Sequence, residues 1–143
     1  MQPKDFVRLP TRREAAQVLA SIESGIYYGY PTCCIEEFAI YRLQISGSIA
    51  GLEIRTQPRL CDGSGFVPCK ICNLKRTRRE LEEDIEKFRT CPVPFPNHDG
   101  VGDDPVYQAR SQMNYYLEQF VIRRPTAREW LNRLVECYLG ISS

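Results

Sequence analysis

The sequence lacks an apolar leader, a membrane-length apolar run and a surplus of either charge. Its start, Met1-Gln2-Pro3-Lys4-Asp5-Phe6, carries no apolar run of the signal-peptide kind. No stretch approaches the roughly 18 apolar residues that span a bilayer. The expectation is a soluble, intracellular chain in a reducing compartment such as the cytoplasm, with no membrane partner. The net charge is +1, so no global field draws the molecule onto nucleic acid or an anionic surface; such a partner would need a local patch.

What is present suits an ordinary globular unit. Hydrophobic residues make up 43% and charged residues 26% of 143 residues, enough for one domain over 1–143 with a core of its own. Apolar spacing predicts a mainly α fold, a small helical domain of about five helices. Thr11-Arg12-Arg13-Glu14 is a capping box opening the first. Ala15, Val18, Leu19 and Ile22 share its inner face, and Gly25 is the expected stop. A second helix begins near Pro31-Thr32 and runs to about Ile45, with Ile35, Phe38, Ala39 and Leu43 inward. A third follows Cys72 and Asn73, with Leu74, Leu81, Ile85 and Phe88 as its narrow seam. Asp104 and Pro105 open a fourth, with Val106, Ala109, Met113, Leu117 and Phe120 inward and Arg123-Arg124-Pro125 as its end. Thr126-Ala127-Arg128-Glu129 is a second capping box, opening a fifth helix whose core residues are Trp130, Leu131, Leu134, Val135 and Tyr138. The first and last helices share a Pro-Thr-x-Arg-Glu start and a glycine fourteen residues after the threonine, which common start and stop chemistry explains without a repeat.

Residues 46–72 read differently. Ser46-Gly47-Ser48, Gly51, Pro58, Gly63, Gly65 and Pro68 interrupt any helical pattern, so an inserted zinc knuckle or short hairpin is expected there. Residues 91–104 form a long loop rich in proline and glycine.

The seven cysteines are Cys33, Cys34, Cys61, Cys69, Cys72, Cys91 and Cys137. In a reducing compartment, clustered cysteines bind metal or do redox chemistry more often than they pair, and an odd count fits a disulfide framework poorly. The sharpest run is Cys61-Asp62-Gly63-Ser64-Gly65-Phe66-Val67-Pro68-Cys69-Lys70-Ile71-Cys72. A Cys-x-x-Cys turn lets two thiolates reach one ion, and Zn²⁺ favours four such ligands in a tetrahedron. The glycines after Cys61 allow a tight bend that brings it round to Cys69 and Cys72. Three thiolates leave one position open. Pro31-Thr32-Cys33-Cys34, at a helix N-terminus where dipole and free N–H groups favour a thiolate, is the first source. Adjacent residues point apart on a helix, so one ligand is expected from the pair, Cys34 or Cys33; Cys91 is the next candidate. Zn²⁺ with four thiolates carries about −2, and Lys70, Lys75, Arg76, Arg78 and Arg79 cluster just beyond.

The run Cys-x-Gly-x-Gly followed by Cys-x-x-Cys resembles half of the cysteine-rich zinc module of DnaJ-type cochaperones, and the Gly-Phe-x-Pro-Cys-x-x-Cys runs of small plant zinc proteins. The resemblance covers about twelve residues and implies Cys61, Cys69 and Cys72 as zinc ligands. The cysteine expected three residues before Cys61 is Pro58, no Gly-x-Gly follows Cys72, and no J-domain is present, so cochaperone activity is not implied. The wider pattern is similar to uncharacterised small proteins of large DNA viruses and phages: Tyr-Pro-x-Cys-Cys, then Gly-Phe-Val-Pro-Cys-x-x-Cys, then Arg-x-Cys-Pro-x-Pro-Phe-Pro. That similarity adds Cys91 to the functional set, implies a viral protein in a host cytoplasm or virion, and supplies no activity.

Competing readings are plainer. Buried free cysteines behave as small hydrophobes, the expectation for Cys137. The run Lys75-Arg76-Thr77-Arg78-Arg79 could meet phosphate, but Glu80, Glu82, Glu83, Asp84 and Glu86 follow at once and favour a solvated, ion-paired helix face. Tyr27, Tyr28 and Tyr30 could stack bases, although aromatics before a helix usually pack. His98, beside Asp99, permits a Cys–His–Asp nucleophile or a zinc contact without pointing to either. Asp99, Asp103 and Asp104 lack EF-hand spacing. Thiol redox chemistry at Cys69/Cys72 or Cys33/Cys34 is the enzyme alternative, but the strand–helix order of a thioredoxin is missing. The resulting expectation is a zinc-binding structural or interaction protein with a protein partner. Nucleic-acid binding through 75–79 and thiol redox activity are the alternatives.

Overall fold

The computed structural model describes residues 1–50, 68–88 and 113–140, the side chains of Met113 and Asn114 excepted. The expectations on Cys61, Cys91, His98, Asp99, Asp103, the Asp104–Pro105 cap, Val106, Ala109, the Met113 side chain and most of the 46–72 insert lie outside these residues.

Six helices and no sheet occur among the described residues: α1 Arg12–Tyr28, α2 Thr32–Ile45, α3 Lys70–Lys75, α4 Arg78–Phe88, α5 Met113–Arg123 and α6 Arg128–Leu139. The chain begins with a 3₁₀ turn, Pro3–Asp5, and Phe6 bridges to Ile49. Arg8 secures this segment, donating to both Glu14 carboxylate oxygens at 2.9 Å and to the Ser46 carbonyl.

α1 starts as its capping box dictates: Glu14 N–H donates to Thr11 Oγ1 at 3.1 Å and Thr11 N–H to Glu14 Oε1 at 2.8 Å. It does not stop at Gly25. The helix continues to Tyr28 and ends at Gly29, whose φ of 79° is the left-handed cap. Gly25 is small for another reason. A Cβ there would stand 2.7 Å from Ile35 Cγ1 and 2.9 Å from Cδ1, so this glycine lets α1 and α2 pack closely.

The sequence places one helix after Cys72-Asn73; the structure has two. α3 begins before Cys72, capped by Cys69. Arg76 is extended, with φ −120° and ψ 148°. A reciprocal box then starts α4: Thr77 N–H donates to Glu80 Oε1 at 2.9 Å and Glu80 N–H to Thr77 Oγ1 at 3.1 Å. The break removes Leu74 from the expected seam: it is 82% exposed, while Leu81 is fully buried and Phe88 largely open. At the start of α6, Thr126 is not the cap. It lies within a 3₁₀ turn, Pro125–Ala127, which delivers the chain into the helix without a side-chain cap.

α1 packs against α2, α5 and α6, whereas neither α3 nor α4 makes a comparably broad contact with another helix. The core around α1 is built from Leu19, Ile22, Leu43, Phe120, Trp130 and Leu134, with Phe120 and Trp130 edge to face at 6.3 Å. Val135 is only partly buried against it, and Phe38 lies half-buried, stacked with Tyr41 rather than in the core. A second, small cluster consists of Cys34, Cys69, Cys72 and Leu81.

Candidate metal centre

The turn Gly29-Tyr30-Pro31 sets the start of α2. Pro31 is its N-cap, a position that needs no intrahelical N–H donor. Cys33 and Cys34 therefore fall in the first helical turn. Pro68 and Cys69 bring the second pair over this end, and the Cys69 sulfur caps α3 by accepting the Cys72 N–H at 3.4 Å. The Cys69 N–H donates to Cys34 Sγ at 3.3 Å. Glu37, one turn into α2, accepts the Lys70 N–H at 3.1 Å. Two helix N-termini thus converge on one group of sulfurs.

The Sγ atoms of Cys33, Cys34, Cys69 and Cys72 all lie within 4.8 Å of one another. Cys33 Sγ is 3.5 Å from Cys72, 3.8 Å from Cys69 and 4.0 Å from Cys34. Metal–sulfur bonds of about 2.3 Å in a tetrahedron put the sulfurs roughly 3.8 Å apart, so these separations suit a metal ion. They are far from the roughly 2.05 Å of a disulfide, and all five described cysteines are free. The cluster is geometrically suited to hold a metal ion on four cysteines.

Both members of the adjacent pair contribute, where one ligand was expected. The knuckle sits across the helix end and meets both sulfurs: Cys72 approaches Cys33 while the Cys69 N–H meets Cys34. Cys69 and Cys72 stand where their spacing suggested. Cys137 is 5% exposed, within the core around α1 and apart from the cluster.

The metal-free sulfurs do not ionise alike. Hydrogen bonds, first from Cys34 and then from Cys72 and Cys69, hold the Cys33 thiol down at about 5. Cys34 is pushed well above the usual thiol range by its bond to Cys33 and by burial. Burial, then the Cys33 contact, raises Cys72 to about 12. A charge on Cys33 is tolerated and a further charge on Cys34 or Cys72 is resisted, as expected where thiolates crowd without a cation. A divalent ion removes that resistance.

Two arginines flank the sulfurs. Arg76, from the α3–α4 break, pairs with Asp84 at 2.5 Å and lies beside Cys72. Arg124, at the end of α5, pairs with Glu36 of α2. Its guanidinium is stabilised first by Glu36 and also by the charges of Cys33 and Cys69, and its Nε–H is buried with no hydrogen-bond partner. The sequence reading missed Glu36, Glu37 and Arg124. Glu36 and Glu37 sit one turn from Cys33 and Cys34, a detectable spacing; nothing local marks Arg124, 88 residues from its partner.

The basic run is largely ion-paired: Arg78 meets Glu82 at 2.8 Å and Arg79 meets Glu83 at 3.2 Å. Tyr27 is buried, and Tyr28 and Tyr30 pack on the core, stacked at 5.7 Å. Among the described residues no helix is long and apolar enough to cross a membrane. Comparison with protein-family models, curated proteins and solved structures gives no match.

Proposed function

We propose that the ion is zinc, and that the protein is a zinc-stabilised structural or interaction module of a reducing, intracellular compartment whose partner is another protein. The observation that carries this reading is the convergence of four cysteine sulfurs from α2 and the Cys69–Cys72 turn. Four thiolates favour zinc or iron, and a closed set of four protein ligands is the form of structural zinc sites. The resemblance of residues 61–72 to zinc modules points the same way. Bound there, the ion supplies cross-linking: it holds the knuckle on the helical core and takes up the charge of four deprotonated thiols. No fifth ligand is needed, which favours a structural over a catalytic role.

Elemental analysis of untagged protein tests the reading. About one zinc per chain is expected, with thiols protected from alkylation until a chelator is added. Folded protein that purifies free of metal, with Cys33, Cys34, Cys69 and Cys72 all alkylated at the rate of exposed thiols, overturns it. Iron at that stoichiometry would replace zinc and move the reading to electron transfer.

The ion pairs along α4 weigh against nucleic acid. Phosphate would have to compete with Glu82 and Glu83 for Arg78 and Arg79. No salt-dependent binding to single- or double-stranded oligonucleotides is expected.

A further inference from the structure

Arg124 lies at the far end of the chain from the cysteines, yet it is drawn into their surroundings. Its N–H donates to the Phe120 carbonyl at 2.8 Å, fixing the backbone where α5 ends. Its side chain leaves that point for α2, where Glu36 takes one guanidinium nitrogen. Glu36 is three residues beyond Cys33, on the same side of α2. The ion pair therefore brings a fixed positive charge to the Cys33 side of the sulfurs. Glu36 occupies only part of the guanidinium, and the Nε–H is enclosed with no acceptor. Burying a donor in this way is costly, and a native chain seldom keeps one without use. Metal binding would create a set of thiolates with a formal charge of about −2, and the guanidinium is the fixed positive charge that Glu36 holds on that side of α2.

We infer that Arg124 is a positioning residue of the metal centre: anchored by Glu36, it sets its charge on the Cys33 side of the cysteine cluster and ties the end of α5 to metal occupancy. The inference rests on the metal-centre reading and goes beyond it, because it assigns a role to a residue outside the ligand set. Hydrogen-bonded partners behind metal ligands typically change affinity by 10–100-fold. Charge acts through space, so lysine at this position would keep part of the contribution and glutamine none, although lysine loses the planar fork that meets Glu36.

The test uses the full-length chain with Co²⁺ as probe. Wild type is titrated first; thiolate-to-cobalt charge-transfer absorption in the near ultraviolet shows that the sulfurs bind metal. Absence of that absorption overturns the metal-centre reading itself, before any variant is made. Arg124→Gln, Arg124→Lys and Glu36→Gln are then compared by competition with a chelator. Affinity is expected to fall on the order of 10–100-fold in Arg124→Gln, and by less in Arg124→Lys. The charge-transfer band is expected to shift in all three variants. If Arg124 only packs α5 onto α2, the variants lower the melting temperature of metal-free and loaded protein alike. Unchanged chelator competition and an unshifted band would then overturn the inference. Should Arg124→Gln fail to fold, Arg124→Lys and Glu36→Gln decide it by the same two readouts.

Discussion

Removing the metal is expected to release α3 and α4 while the helices around α1 stay folded. The reason lies in what each part buries. The main core contains Trp130, Phe120, Leu19, Ile22 and Leu43, all fully enclosed. The knuckle's cluster contains one fully buried aliphatic residue, Leu81, beside Cys34, Cys69 and Cys72. Burying a leucine contributes about 2 kcal/mol, while fixing each residue's backbone costs about 1–2 kcal/mol before hydrogen bonds offset part of it. Leu81 and the half-buried Ile85 cannot order residues 68–88 on that scale. A structural zinc contributes about 10–16 kcal/mol, enough to change the outcome.

Circular dichroism with a strong chelator measures this. The 6 residues of α3 and the 11 of α4 are roughly a quarter of the described helical residues. Loss of about that share of the helical signal is expected on chelation, with recovery when zinc is returned and with the fluorescence of Trp130 unchanged. Hydrogen exchange would place the loss in 68–88 and leave α1 and α2 protected beyond the first turn of α2. Retention of the full signal in demonstrably metal-free protein would refute the reasoning, as would collapse of the whole molecule.

Three further outcomes follow from single contacts. Gly25→Ala gains about 1 kcal/mol of helix propensity but drives a methyl into the Ile35 side chain at 2.7 Å; overpacking of this kind costs about 1–3 kcal/mol. A net loss in urea melts is therefore expected, relieved in the double variant with Ile35→Ala. Glu14→Gln is expected to cost up to about 1 kcal/mol at pH 7, by loss of the partly exposed Arg8 ion pair, since a Gln amide oxygen can still accept the Thr11 N–H of the box. Because Arg8, then the Thr11 N–H, lowers the folded Glu14 carboxyl to about 2 from 4.5, its contribution is full above about pH 4.5 and fades towards pH 2; the wild-type and variant melting curves should converge there. Cys137→Ala is expected to leave metal stoichiometry at the wild-type value at a small cost in stability, whereas Cys34→Ala removes one of the four sulfurs and should abolish tight binding; equal metal loss in both would contradict the assignment.

Some of this was legible in the sequence, and the dividing line is the range of the interaction responsible. The Thr11–Glu14 box spans three residues, so the start of α1 was readable. The spacing of Ala15, Val18, Leu19 and Ile22 gave its buried face, because a helix repeats every 3.6 residues whatever it packs against. Gly25 was misread because a glycine near a helix end has two uses. The one that applies here depends on Ile35, in another helix. The interruption at Arg76 was local in principle, since Thr77-x-x-Glu80 is itself a capping box, but the charged run around it masked the restart. The Cys69–Cys72 turn was legible as metal-binding spacing. That both Cys33 and Cys34 join it was not, because the angle between neighbours on a helix says nothing of a second element laid across the helix end. Arg124 needed a contact across 88 residues, beyond any local pattern.

The four sulfurs put the candidate metal site at a join between elements and not inside the helical core. Cys33 and Cys34 lie in the first turn of α2, and Cys69 and Cys72 in the cap and first turn of α3. Helix starts carry unpaired N–H groups and the positive end of the peptide dipoles. One such donor, from Cys69, meets Cys34 Sγ, and another, from Cys72, meets Cys69 Sγ. These donors face the sulfurs of Cys34 and Cys69, while the bond to Cys33 and burial hold Cys34, and burial and the neighbouring sulfurs hold Cys72, against ionisation until a cation is present. A cation held there would offset the charge that four thiolates carry. The helix that carries Cys72 also presents Ile71 and Leu74 outward, both exposed. The core around α1 buries many more apolar side chains than the cluster at the knuckle, so an ion bound here would act mainly on the segment that packing holds least.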